Sequence, residues 1–287
     1  MEAKKSSGKQ VVAILLLVIG LAAGVFGVLG LVGGGGTDPY EVRKGIVMVR
    51  GTISDTQGNS QYGWGTGWAI GKPGEPVEYF VTNGHVVAEA YEYPKLYPGQ
   101  IFGEVQVFYS EAENDYVQAQ VVYYSPGTEK DIAIVKIPSP TDKRVALTLR
   151  DSDTVEMGMT AYALGFPGDS SNRQTFPTFG MDDVTITRGI ISNQVIPSWA
   201  THEAFQMDVS IAGGNSGGPL VDERGRVIGI NTSAAVDPQT GLPLGMNYAI
   251  IIDELTKILD GERIEYTMAG GGLSWTQPWF AYVFLPI

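Results

Sequence analysis

The apolar positions of this chain follow two patterns. From Val11 to Val32, 22 residues carry no charged or hydrogen-bonding side chain. As a helix that stretch would reach about 33 Å at 1.5 Å per residue, enough for a hydrocarbon core of about 30 Å. Beyond residue 42 the apolar residues fall instead into short β-prone runs separated by Gly, Pro, Asn and Asp. Six runs are expected before the middle of the chain, near 45–51, 64–71, 78–82, 101–109, 116–123 and 132–137. Six more follow, near 159–165, 184–193, 204–209, 219–222, 226–233 and 245–251. Regularly spaced strands with polar turns predict all-β barrels rather than βαβ units. Ile252, Leu255 and Leu259 then recur with helical spacing, so a short helix is expected after the last strand.

Lys4, Lys5 and Lys9 precede the long apolar stretch. That bias predicts a cytoplasmic amino end and an exported remainder. A secretory h-region is usually shorter, about 7–15 residues, so 11–32 reads as an uncleaved signal anchor in preference to a cleaved signal peptide. The expected layout is a cytoplasmic segment 1–10, a transmembrane helix 11–32, a Gly-rich linker 33–41, a folded unit 42–262 and a tail 263–287. The tail holds Trp275, Trp279, Phe280, Tyr282 and Phe284. Trp and Tyr collect at membrane interfaces, so it either meets the headgroup region or packs on the barrel surface.

Composition narrows the chemistry. The formal net charge is −12 over 287 residues, which disfavours nucleic acid, because phosphate contacts need clustered Lys and Arg. There is no cysteine, so disulfides and thiolate metal sites are excluded. The two histidines, His85 and His202, are too far apart in sequence to suggest a zinc site. No metal and no cofactor is expected.

The candidate chemistry centres on Gly213-Gly214-Asn215-Ser216-Gly217-Gly218-Pro219-Leu220. Glycines let a substrate carbonyl approach the backbone, and a tight turn points N–H groups at one place, where they can hold an oxyanion. A serine hydroxyl also needs a general base. Gly-x-Ser-x-Gly marks the nucleophile elbow of α/β-hydrolases, where the histidine follows the serine. Here both histidines precede Ser216, so that order fails and the order His, Asp, Ser remains. His85 follows Tyr79-Phe80-Val81-Thr82-Asn83-Gly84 and is expected at the end of a strand facing a cleft. Asp131 opens the strand-like stretch Ile132 to Ile137, with apolar residues on both faces, and can orient the imidazole with water excluded. His202, among Thr201 and Glu203, reads as a solvated loop residue.

Thr82-Asn83-Gly84-His85-Val86-Val87, Asp131-Ile132-Ala133-Ile134-Val135-Lys136-Ile137 and Gly214-Asn215-Ser216-Gly217-Gly218 resemble the three signature blocks of trypsin-fold serine proteases, of the HtrA (Deg-like) branch. Gly65-Thr66-Gly67-Trp68-Ala69-Ile70, Ala163-Leu164-Gly165-Phe166-Pro167-Gly168 and Gly245-Met246-Asn247-Tyr248-Ala249-Ile250 agree, and the likeness covers roughly 42–262. It implies two six-stranded antiparallel β-barrels, about 42–140 and 150–262, with the cleft between them. It implies a triad of His85, Asp131 and Ser216, an oxyanion hole from the N–H groups of Gly214 and Ser216, and polypeptide substrates. The pocket for the residue before the cut would involve Ser210, Ile211, Ala212, Ile230, Asn231 and Thr232. Many HtrA-type proteases carry PDZ domains of about a hundred residues, for which 263–287 is too short. A homotrimer is the assembly the resemblance implies. Asn215 stands where digestive relatives carry an acid that pairs with a new amino terminus, so control by the loops 166–186 and 208–214 is expected instead. The alternative is an inert, membrane-anchored binding module on the same fold.

Overall fold

The first half of β1 (Ile46–Asp55) is buried on both faces. Val47 and Val49 enter one apolar cluster, while Ile46 and Met48 enter another. Successive strand side chains point to opposite faces, so this strand lies between two cores. A computed structural model describes residues 38–110, 115–168, 180–236 and 243–270. In it β1 begins a closed antiparallel barrel with β2 (Ser60–Ile70), β3 (Val77–Thr82), β4 (Ile101–Phe108), β5 (Tyr116–Tyr124) and β6 (Ala133–Thr141), in the order β1-β2-β3-β6-β5-β4. β4 pairs back onto β1, with Met48 opposite Phe108.

β7 (Thr148–Leu149) leads into the second barrel: β8 (Thr160–Gly165), β9 (Thr185–Val195), β10 (Ala204–Met207), β11 (Pro219–Asp222), β12 (Val227–Val236) and β13 (Pro243–Ile251). Their order is β11-β8-β9-β10-β13-β12, and pairing of β11 with β12 closes the ring. The twelve expected strands are all present, most within a few residues of their expected ends. One apolar cluster, holding Met48, Trp68 and Phe108 together with Leu164, Ile230 and Leu255, joins the two barrels. The predicted terminal helix is α2 (Ile252–Glu262), which buries Ile252, Leu255 and Leu259 and stops at Arg263 with φ 60°.

Two features differ from the sequence reading. α1 (Gly84–Leu96) was not anticipated: it buries only Gly84, Val87 and Ala90, too narrow a stripe to stand out from the β-prone Val and Tyr around it. The start of the expected tail is part of the fold, since β14 (Thr267–Met268) runs parallel to β7 and Ala269 N–H donates to the Leu149 carbonyl at 2.7 Å. The apolar stretch 11–32, the glycines of the linker and the aromatic residues Trp275 to Phe284 lie outside the described residues. Among the described residues no helix is long and apolar enough to cross a membrane.

Asp222 braces the second barrel. Its side chain is 3 % exposed and meets Arg150 Nη1 at 2.9 Å and Arg226 Nε at 2.7 Å. Burial pushes its carboxyl up, but the bonds from Arg226 and Arg150 more than offset that and hold it below the usual carboxylate range. A lowered folded value stabilises the fold above the unfolded pKa of about 3.9 and loses that contribution as pH falls through the folded value. Asp222→Ala is expected to cost about 1–3 kcal/mol, because it takes the carboxylate acceptor from two half-buried guanidinium groups. Urea unfolding at neutral pH checks this, and the gap to wild type should narrow in acid.

Candidate active site

His85 lies on α1 rather than at a strand end. β3 stops at Thr82, Asn83 stays extended, and the helix begins at Gly84. The first N–H groups of a helix lack intrahelical partners, and the Asn83 side chain does not cap them. Asp131 does so from across the barrel: its Oδ1 accepts the His85 backbone N–H at 2.9 Å. The same carboxylate accepts from His85 Nδ1, at 3.0 Å through Oδ1 and 2.9 Å through Oδ2. One acid thus fixes both the helix start and the ring. With Nδ1 committed to Asp131, Nε2 is left as the basic nitrogen.

Asp131 is held on every side. It is 3 % exposed, and Thr232 Oγ1 donates to its Oδ2 at 2.7 Å. Asn83 Nδ2 donates to its carbonyl at 2.8 Å, and its own N–H donates to the Pro126 carbonyl at 3.0 Å. Its φ of 52° is uncommon for a non-glycine residue, and such strain persists only where surroundings impose it.

Ser216 sits on the turn before β11. Its Oγ donates to the Thr232 carbonyl at 3.3 Å. No Ser216–His85 hydrogen bond is formed among the described residues; such bonds are often long until substrate binds. The neighbouring peptides are anchored through their carbonyls. Gly213 O accepts from Gly168 N–H at 2.7 Å and Asn215 O from Gly218 N–H at 3.0 Å. A trans peptide points its N–H opposite its C=O, so the Gly214 and Ser216 N–H groups are turned away from those partners. Neither donates to another protein group among the described residues. Thr66 secures the turn, its Oγ1 donating to Gly214 O at 2.7 Å and its N–H to Ser216 O at 2.8 Å. Gly217, at φ 85°, cannot carry a side chain: a Cβ would strike Thr66 O and Thr82 Oγ1. A cleft of about 460 Å³ joins these parts, with Tyr62, Trp64, His85, Glu89, Gly214 and Ser216 among its walls.

The residues expected in the substrate pocket are scattered in role. Ser210 is exposed, and its carbonyl accepts from Thr187 Oγ1 at 2.6 Å. Ile211 is half-buried against the second-barrel cluster, and Ala212 is exposed. Ile230 and Asn231 are fully buried, so they offer no surface to a substrate: Ile230 packs in the joint core and Asn231 Nδ2 bonds the Pro219 carbonyl at 3.1 Å. Thr232 supports Asp131 and Ser216 instead. His202 is not solvated; it is 2 % exposed, and its Nδ1 bonds the Glu129 carbonyl at 2.6 Å. Sequence reasoning assigned no supporting role to Thr66 or Asn83, whose contacts join positions 148 and 48 residues apart. Only their place beside the Gly65-Thr66-Gly67 and Asn83-Gly84-His85 blocks signalled them.

The sequence pattern of the trypsin-like peptidase domain matches residues 65–230, more than half of the chain. The chain belongs to that family. Within it the relatives are of HtrA type. A probable periplasmic serine endoprotease, DegP-like, from Halomonas elongata is 31 % identical over 211 residues, 73 % of this chain and 37 % of the relative. Protease Do-like 5, chloroplastic, from Arabidopsis thaliana is 29 % identical over 71 % of this chain and 58 % of its own length. The chain thus spans between 37 % and 58 % of the length of these two relatives. The HtrA-type protease AlgW, solved with a decapeptide, shares the fold at a TM-score of 0.57 and 23 % identity, over 78 % of this chain and 67 % of that one.

Proposed function

We propose that the protein is a serine endopeptidase that hydrolyses peptide bonds in exported or misfolded proteins through an acyl-enzyme. The observation that carries this reading is one buried carboxylate, Asp131, gripping both the backbone N–H and Nδ1 of His85 in the cleft that also contains Ser216. Ser216 Oγ attacks the scissile carbonyl and passes its proton to His85 Nε2. The imidazolium, stabilised by Asp131, then gives that proton to the leaving amine. The Gly214 and Ser216 N–H groups hold the oxyanion, each worth about 2.7–4 kcal/mol in comparable sites. A water, deprotonated by His85, attacks the acyl carbon, and His85 returns that proton to Ser216 Oγ as the ester bond breaks and the acyl group leaves as a carboxylic acid. These steps call on no metal or cofactor. The periplasmic description of the Halomonas relative supports a peptidase domain outside the cytoplasm. In this reading 11–32 anchors it as a single-pass protein with its amino end inside, and it assembles as a homotrimer.

Specificity follows from Ser210, small and uncharged at the expected base of the pocket. Asp208, two residues earlier, turns its Oδ1 to the Ile190 N–H of β9 at 2.7 Å. Cleavage is expected after Val, Ala, Ile or Leu, with one methylene changing the preference by about 1–3 kcal/mol. Mass-spectrometric mapping of cuts in an unfolded protein tests both activity and specificity. A majority of cuts after Lys or Arg would refute the Ser210 pocket, and no cleavage at all would refute the endopeptidase.

A further inference from the structure

His202 takes no part in the steps above, yet it is buried where two halves of the site meet. Asp131 ends the loop 125–131 between β5 and β6. Its carboxylate is shared: His85 comes from the first barrel and Thr232 from the second. The loop must therefore keep its place against both barrels. Its local bonds run within the first barrel, from Ser125 N–H to Ile132 O at 2.9 Å and from Lys130 N–H to Ser125 Oγ at 3.1 Å. Besides the Thr232 bond, two contacts among the described residues reach it from elements of the second barrel. Lys130 Nζ meets Glu254 Oε2 on α2 at 2.8 Å, with the lysine 36 % exposed. His202 Nδ1 meets the Glu129 carbonyl, two residues before Asp131, at 2.6 Å and in a buried setting.

The chemistry of the second contact is one-sided. A carbonyl only accepts, so Nδ1 carries the proton and Nε2 presents a lone pair. Nε2 is buried and has no partner among the described residues. A buried acceptor without a donor costs stability, so burying an imidazole here is not explained by its own comfort. The ring is fixed to the second barrel: it lies edge-on to Trp199 at 6.1 Å, and Trp199 lies edge-on to Tyr248 of β13 at 5.9 Å. Asp131, at φ 52°, needs such external support.

We propose that His202 is a positioning residue that ties the Glu129 main chain to the second barrel and so keeps the Asp131 carboxylate aligned with His85 and Thr232. This rests on the reading of His85, Asp131 and Ser216 as a triad. Full-length protein carrying His202→Phe, which fills the space without a donor, should lose about ten- to a hundredfold in kcat with KM unchanged, the scale of an ångström-sized misplacement. His202→Asn, which returns an N–H near the Nδ1 position, should restore kcat to within about threefold of wild type. In an Asp131→Ala background His202→Phe should change kcat by less than about twofold, since coupled residues are non-additive. Equal losses in both backgrounds would make His202 merely structural and overturn the proposal, as would full kcat in a folded His202→Phe. Should that variant fail to fold, nitrogen NMR of the wild-type protein decides: a proton on His202 Nδ1 is expected, and protonation on Nε2 alone overturns the proposal. An Asp131→Ala variant with undiminished kcat would instead overturn the triad itself, and His202's role with it.

Discussion

Ser216→Ala is expected to abolish peptide hydrolysis, with kcat falling by about 10⁴–10⁶ and the fold intact. The change removes one oxygen whose contact among the described residues is a 3.3 Å bond to the Thr232 carbonyl. The glycine turn does not depend on it, because Thr66 binds the Ser216 carbonyl and Gly218 binds that of Asn215. His85→Ala should cost nearly as much, because nucleophile and base act as a unit. Steady-state kinetics on a peptide substrate, beside thermal melts, check both. If His85→Ala kept more than about a tenth of the rate, the base would have to be another group.

Asp131→Ala is the second large effect, expected to lower kcat by about 10⁴. Three donors lose their acceptor at once: the His85 backbone N–H, His85 Nδ1 and Thr232 Oγ1. The imidazole would lose its tautomer, its orientation and the charge that stabilises its protonated form. The start of α1 would also lose its cap, so unlike Ser216→Ala this variant should melt earlier. A helix N-cap removed usually costs about 0.5–2 kcal/mol. A variant as stable as wild type with wild-type kcat would contradict the double role of this carboxylate.

The barrels were legible because their signal is local. β1 and β12 announce themselves through apolar runs and flanking turn residues, and register follows from which face each residue buries. The three short blocks around His85, Asp131 and Ser216 were legible because each sits at the end of an element. What stayed hidden depends on distant partners. α1 buries only Gly84, Val87 and Ala90, so its helical period is submerged among Tyr and Val. The buried state of His202 comes from Glu129, 73 residues away, and nothing in Trp199 to Glu203 foretells it. The resemblance implies a place for Thr232 in the substrate pocket; its hydroxyl reaches Asp131, 101 residues off. Polar residues that serve other polar residues leave no periodic trace, whereas apolar faces do.

Covalent labelling decides whether Ser216 is a nucleophile activated by His85. Wild-type protein treated with a fluorophosphonate probe, digested and sequenced by mass spectrometry, should carry a single adduct on Ser216. Ser216→Ala should carry none, and His85→Ala should label far more slowly. Peptide hydrolysis with no adduct on Ser216, or an adduct on another residue that survives in Ser216→Ala, would contradict the account.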